Sequence, residues 1–87
     1  MKRSDEFVLR NVADEYMLIP IGEMSAKHNG IISLNPVSLL LWEKLSGDVS
    51  KEDLIEAVLE KFDAPREVIS VDIDQFLDQL RQMDMIL

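Results

Sequence analysis

The pattern of the sequence changes at residues 31–36, which read Ile-Ile-Ser-Leu-Asn-Pro. Ile31–Leu34 is a short apolar run of the kind typical of a strand. Asn35 can cap a helix, and Pro36 fits the first helical position, where its missing N–H has no intrahelical partner to lose. This stretch therefore predicts a strand that leads directly into a helix.

The residues before this stretch predict two more strands. Glu6–Val12 and Glu15–Ile21 are rich in strand-forming side chains and partly alternate between apolar and polar. Only the dipeptide Ala-Asp separates them, which favours an antiparallel hairpin. Pro20 cannot donate to a ladder, so we place it near the end of the second strand. Residues 22–30 are polar and end in Asn-Gly, which predicts a loop with a turn before the third strand.

The residues after it predict three helices. Each helical segment carries apolar residues at helical spacing, and the segments are Pro36–Leu45, Ser50–Phe62 and Arg66–Met83. Met85–Leu87 is an apolar tail that we expect to pack back on the domain. The predicted fold class is α+β, a three-stranded antiparallel sheet (about 6–34) followed by three helices (about 36–83), in the order βββααα. We expect residues 1–87 to form a single domain.

Composition excludes several classes of function. The chain has 87 residues, 9 basic against 17 acidic side chains, a net charge of −8 and no cysteine. This length suits one small core and argues against a large multi-substrate active site. Lys and Arg dominate contacts to phosphate, so the acidic balance argues against nucleic acid and against anionic membranes. The missing cysteines exclude disulfides and thiolate metal sites, and with no secretory pattern at the start they favour the cytoplasm.

Residues that could carry catalysis are few and isolated. His28 is the one histidine and lies in the polar loop, where a solvated side chain is the ordinary interpretation. Asp72, Asp74 and Asp78 lie close together on the third helix, but a polar, solvated face explains them better than a paired-carboxylate site. Trp42 lies in an apolar run, which favours a core role over ligand binding. We expect no enzyme activity, no metal and no cofactor.

The predicted sheet leaves one edge without protection in its own sequence. Ile31–Leu34 contains neither a proline nor a charge, the features that commonly shield a strand edge. Two alternatives follow. The third helix or the C-terminal tail covers this edge, or an extended peptide adds to it as a fourth strand. The pattern alone favours neither.

Four segments, in their order and spacing, resemble the PqqD family, the precursor-peptide recognition element of ribosomally made, post-translationally modified peptides. Residues 30–35 resemble the family's third strand, which ends in Leu-Asn, and residues 41–47 resemble its helix with a Trp and a glycine turn. Residues 50–62 are similar to its capped second helix, and residues 72–80 to an Asp-x-x-x-Phe-Leu-x-x-Leu pattern in its last helix. The chain departs from the family at 83–85, where a glycine often stands.

The resemblance spans about residues 6–87 and implies a winged-helix-like fold without catalysis. Such proteins act as chaperones that bind the leader of a precursor peptide and present it to a modifying enzyme, often a radical S-adenosylmethionine (SAM) enzyme. The product is pyrroloquinoline quinone (PQQ) or another modified peptide. The family's leader binds antiparallel to the third strand, beside the third helix. The peptide-binding residues expected here are Ile31, Ile32, Ser33, Leu34, Asp74, Leu77, Asp78 and Arg81.

The helix residues in this set are chosen by periodicity, since Ile73, Phe76 and Leu80 fit a buried stripe. We expect Asp74 and Asp78 to favour a leader with Lys or Arg nearby. Two other classes stay open. One is a winged-helix DNA-binding protein, and the other is a self-associating module whose free strand pairs with its own copy. The leader-binding class predicts a monomer or a weak dimer.

Overall fold

The computed structural model describes residues 1–27 and 30–87. Its elements are β1 (Phe7–Val12), β2 (Glu15–Pro20), α1 (Met24–Lys27), β3 (Ile32–Leu34), α2 (Pro36–Lys44), α3 (Lys51–Lys61) and α4 (Arg66–Gln82). The strands form one antiparallel sheet in the order β1-β2-β3. The α+β class and the sheet-then-helices arrangement are therefore confirmed, and the three long helices end within one residue of their predicted bounds.

The segment before β3 differs from the expected loop. It contains the one-turn helix α1. The Ser25 hydroxyl in this helix donates a hydrogen bond to the carbonyl of Gly22 (2.7 Å). β3 begins at Ile32, one residue later than expected. The predictions for His28 and for the Asn29 position of the turn lie outside the described residues.

The hairpin between β1 and β2 closes through a two-residue turn, as predicted. The two strands pair along their full length, and Pro20 is the last residue of β2. Ala13 and Asp14 have φ angles of 51° and 66°. Positive φ at both turn positions is the geometry of a type I′ turn, whose twist matches that of the flanking strands.

The core lies between the sheet and the three long helices. Its most completely buried side chains come from β2, the helices, the residue after α2 and the C-terminal tail: Leu18, Leu41, Leu45, Leu54, Val58, Ile73, Leu77, Leu80 and Met85. Trp42 is 2% exposed, which confirms the core role expected for it. The Arg3 guanidinium lies over its ring, 5.2 Å from the ring centre, and donates to its carbonyl oxygen.

The two ends of the chain meet on one side of the core. Arg3 and Ile86 form an antiparallel bridge, and the Met85 side chain is fully buried, which confirms that the apolar tail packs back. The N–H of Met85 donates to the carbonyl of Leu80 (2.8 Å), a bond typical of a Schellman turn at a helix end. Asp84 occupies the left-handed position of this turn with a φ of 56°.

Replacing Ala13 with Asn is expected to raise the free energy of unfolding by about 1 kcal/mol, because a left-handed φ strains the alanine Cβ and asparagine tolerates it. Urea denaturation of the two proteins measures the difference. Ala26→Asn in the exposed helix α1 is the control, where helix propensity predicts no gain. An equal gain at both positions would show that turn geometry is not the cause.

Candidate functional site

β3 is an edge strand, and the ladder shows which of its backbone groups point outwards. Opposite residues in an antiparallel pair alternate between exchanging both hydrogen bonds and exchanging none. The N–H of Ile21 donates to the carbonyl of Glu6 (2.8 Å), and the register places these two residues opposite each other. Counted from this pair, the odd-numbered residues of β2 direct their backbone groups to β1, and the even-numbered residues direct theirs to β3.

The same alternation assigns the backbone of β3. Ile32 and Leu34 lie opposite even-numbered residues of β2, so their backbone groups are used within the sheet. Ser33 lies opposite Met17 and directs its N–H and carbonyl away from the sheet. Within the described part of the chain, no backbone hydrogen bond outside the ladder reaches these outward groups. The edge thus presents donors and acceptors to an added strand.

A cleft of about 370 Å³ lies beside this edge. It is lined by β3, the start of α2 and one face of α4, through Ser33, Asn35, Val37, Ser38, Leu41, Asp72, Gln75, Phe76 and Gln79. Two lining side chains are buried and apolar, Leu41 (1% exposed) and Phe76 (9%). Most of the others are polar. An extended chain in this cleft would meet backbone groups on one side and side chains of α4 on the other.

The junction between β3 and α2 shapes one end of the cleft. The N–H of Ser38 donates to Oδ1 of Asn35 (2.8 Å), and the N–H of Asn35 donates to Oγ of Ser38 (2.9 Å). Pro36 takes the first helical position, as predicted. This reciprocal capping satisfies two polar groups without a partner from outside, and it holds both side chains in place where they line the cleft.

Comparison with known proteins places this fold in a family. A family profile described as Coenzyme PQQ synthesis protein D (PqqD) matches residues 12–86. The chain belongs to this family. A solved structure of TbiB1 in complex with the TbiA(beta) leader peptide has a TM-score of 0.75 and 22% identity, over 98% of this chain and 93% of that chain. At this identity the similarity shows the shared fold. No curated protein matches the chain.

The four predicted strand residues have different environments in the structure. The side chains of Ile32 and Leu34 are buried in the core, at 6% and 9% exposed. Ser33 lines the cleft, and the Ile31 side chain is 57% exposed at the start of the edge. Ile32 and Leu34 therefore use both their side chains and their backbone groups inside the domain, and Ser33 is the β3 residue that faces the cleft.

The four predicted helix residues lie away from this cleft. Leu77 is 1% exposed and belongs to the core. Asp74 forms an ion pair with Lys51 of α3 (2.9 Å), and Asp78 forms one with Arg81 (3.1 Å). Asp74 follows Asp72 by two positions, which is about 200° around a helix, so the two carboxylates face opposite sides. A peptide-binding role for these four residues stays a prediction.

Sequence reasoning missed the cleft face of α4, which consists of Asp72, Gln75, Phe76 and Gln79. Phe76 was assigned to the core, and it does reach the core while its remaining exposed area lines the cleft. The available signal was the spacing of Asp72, Phe76 and Gln79, which puts three side chains on one face. Periodicity identified the polar side of α4 and did not show which part of it faces β3.

Ion pairs outside the cleft connect neighbouring helices. The carboxylate of Glu56 accepts a hydrogen bond from Arg66 and raises the pKa of that guanidinium, and Glu52 pairs with the same side chain. This arrangement joins α3 to α4.

In residues 1–27 and 30–87, no group of three or more His, Cys, Asp or Glu is placed to hold a metal ion. No helix in that part of the chain has the length and apolar character to cross a membrane.

Leu77→Ala is expected to lower the free energy of unfolding by about 3 kcal/mol, because it leaves a cavity in the core. Val71→Ala is the matched control on the same helix, since Val71 is 54% exposed and its truncation should cost well under 1 kcal/mol. Thermal and urea denaturation measure both. A Leu77 variant as stable as the wild type would contradict the core position and favour the peptide-binding role predicted for this residue.

Proposed function

We propose that this chain is a non-catalytic chaperone for a precursor peptide. It binds the leader of a ribosomally made peptide as a fourth strand on β3 and presents that peptide to a modifying enzyme. The pathway would produce PQQ or another modified peptide, and a radical SAM enzyme is the partner class that the family resemblance suggests. Membership in the PqqD family and a fold shared with a leader-peptide complex support this proposal.

The free edge at Ser33 carries the proposal. The backbone N–H and carbonyl of this residue point out of the sheet, and a cleft opens on the same side. A strand added here would find hydrogen-bond partners along β3 and a side-chain surface along α4. Strand addition is a common mode of peptide recognition because backbone bonds give affinity and adjacent pockets give selectivity.

The direction of the added strand follows from the sheet. All described pairings in it are antiparallel, and an antiparallel fourth strand continues that hydrogen-bond pattern. The peptide would therefore run opposite to β3. The three-residue length of β3 limits the paired segment to a few residues, so a leader would use only a short stretch for this contact.

Presentation to an enzyme would work through effective concentration. When a small domain holds the leader and also docks on the enzyme, the reacting part of the peptide meets the active site in an intramolecular step. This role needs no catalytic group in the domain itself. Among the described residues that line the cleft, Asp72 is the only ionisable side chain.

An amide NMR titration tests the proposal. The ¹⁵N-labelled protein is mixed with synthetic peptides that cover the small open reading frames beside its gene. Saturable shifts at residues 31–34 and 72–79 are the expected result. If every peptide leaves these amides unmoved and light scattering shows a dimer, the edge serves self-association and the proposal is wrong.

Ser33→Pro is expected to weaken binding of a leader found in this way by about tenfold, because proline removes the outward N–H of β3 and keeps the bonds to β2. Ser33→Thr keeps the N–H and is the control. Isothermal calorimetry measures both affinities, and circular dichroism checks the fold. Equal binding by the two folded variants would exclude strand addition at this position.

A further inference from the structure

The orientation of α4 relative to β3 sets which end of a bound peptide meets which part of the helix. Gly30, just before β3, lies against Met83 at the C-terminal end of α4, since a Cβ at Gly30 would be 3.2 Å from the Met83 methyl group. Asn35, just after β3, lines the cleft with Asp72 and other residues further back along α4. β3 and α4 therefore run in opposite directions. A strand antiparallel to β3 runs in the direction of α4, with its amino end towards the start of the helix.

One face of α4 carries three different side chains, spaced about one helical turn apart. Val68, Asp72 and Phe76 follow each other at intervals of four residues, which places them on the same face. Val68 is 51% exposed and lies one turn before the cleft, whereas Asp72 and Phe76 line it. Four helical residues advance about 6 Å, and two strand residues advance about 6.6 Å. Every second residue of an added strand would therefore have nearly the same spacing as these three side chains of α4.

Asp72 is the one charged side chain among the described residues that line the cleft, and the described part of the chain forms no ion pair with it. The nearby carboxylates of α4 differ in this respect. Asp74 is paired with Lys51, and Asp78 is paired with Arg81. A cation in the cleft would therefore gain a partner at Asp72 without breaking an existing ion pair.

We propose that the cleft selects a peptide segment with the pattern apolar–x–Lys/Arg–x–apolar, read from its amino end. The first apolar residue would cover Val68, the basic residue would meet Asp72, and the second apolar residue would lie over Phe76. The intervening residues point to the other side, because side chains alternate along a strand. This inference rests on the proposed strand addition and adds to it the chemistry of the bound sequence.

Three synthetic peptides test the charge preference. They share one threonine-rich host sequence with a central Leu-Thr-Xaa-Thr-Val, where Xaa is Lys, Gln or Glu, and amide NMR titration gives each dissociation constant. The Lys peptide is expected to bind about fivefold more tightly than the Gln peptide, with the Glu peptide weakest. In Asp72→Asn the three affinities should converge to within about twofold.

Glu60→Gln is the matched control, because it changes the net charge of the protein by the same amount at an exposed position of α3, outside the residues that line the cleft. It should leave the ranking of the three peptides intact. If the ranking of the three affinities survives in Asp72→Asn, or disappears to the same extent in both variants, the preference comes from overall charge. Either result would overturn this inference.

Different outcomes of these titrations would contradict the charge pattern and the strand addition. If all three peptides shift the amides of β3 with equal affinity, strand addition stands and the charge pattern is wrong. If none of the three, nor any gene-neighbourhood peptide, shifts those amides, both are wrong. A spin label at the amino end of the Lys peptide should broaden amides near Val68, and broadening near Met83 instead would contradict the antiparallel direction of the bound strand.

Discussion

The reciprocal capping between Asn35 and Ser38 fixes where β3 ends and α2 begins, and the cleft depends on that junction. The strand before it is only three residues long, so a shift of the helix start by one residue would change which backbone groups remain within the sheet. With the present junction, Ile32 and Leu34 place their side chains in the core and their backbone groups on β2. Ser33 is left with both backbone groups directed outwards, next to the start of α2.

This arrangement explains how a domain of this size keeps an open strand edge. The three long helices pack with the inner face of the sheet around one core, and α4 lies across the cleft from β3 instead of sealing it. The chain ends pair with each other at Arg3 and Ile86, and no backbone hydrogen bond from the described residues of either end reaches Ser33. The C-terminal tail was one of the elements that could have covered the edge. In the structure that tail packs into the core instead, with Met85 fully buried.

The sequence was sufficient for the fold because each boundary carries a strong local signal. The two-residue gap at Ala13, the Asn-Pro start of α2 and the capping pair at Ser50 each have one favoured geometry. The cleft face of α4 lacked such a signal. Leu77 and Phe76 are adjacent apolar residues, and both are buried, but only the tertiary packing of α4 decides which of them borders the cleft. The one-turn helix α1 was missed because four residues are too few for periodicity to register.

The shortness of β3 also indicates where the selectivity of the cleft must come from. Within β3, Ser33 offers two outward backbone groups, and a net gain of about 1 kcal/mol for each hydrogen bond gives an affinity weaker than millimolar. Backbone pairing alone would therefore hold any extended peptide weakly and without preference. Under the proposed strand addition, a useful affinity for one leader requires several further kcal/mol from side chains, and α4 supplies half of the described polar side chains around the cleft, among them the charged Asp72. On the proposed function, β3 would set the position of a peptide and the cleft face of α4 would select which peptide binds.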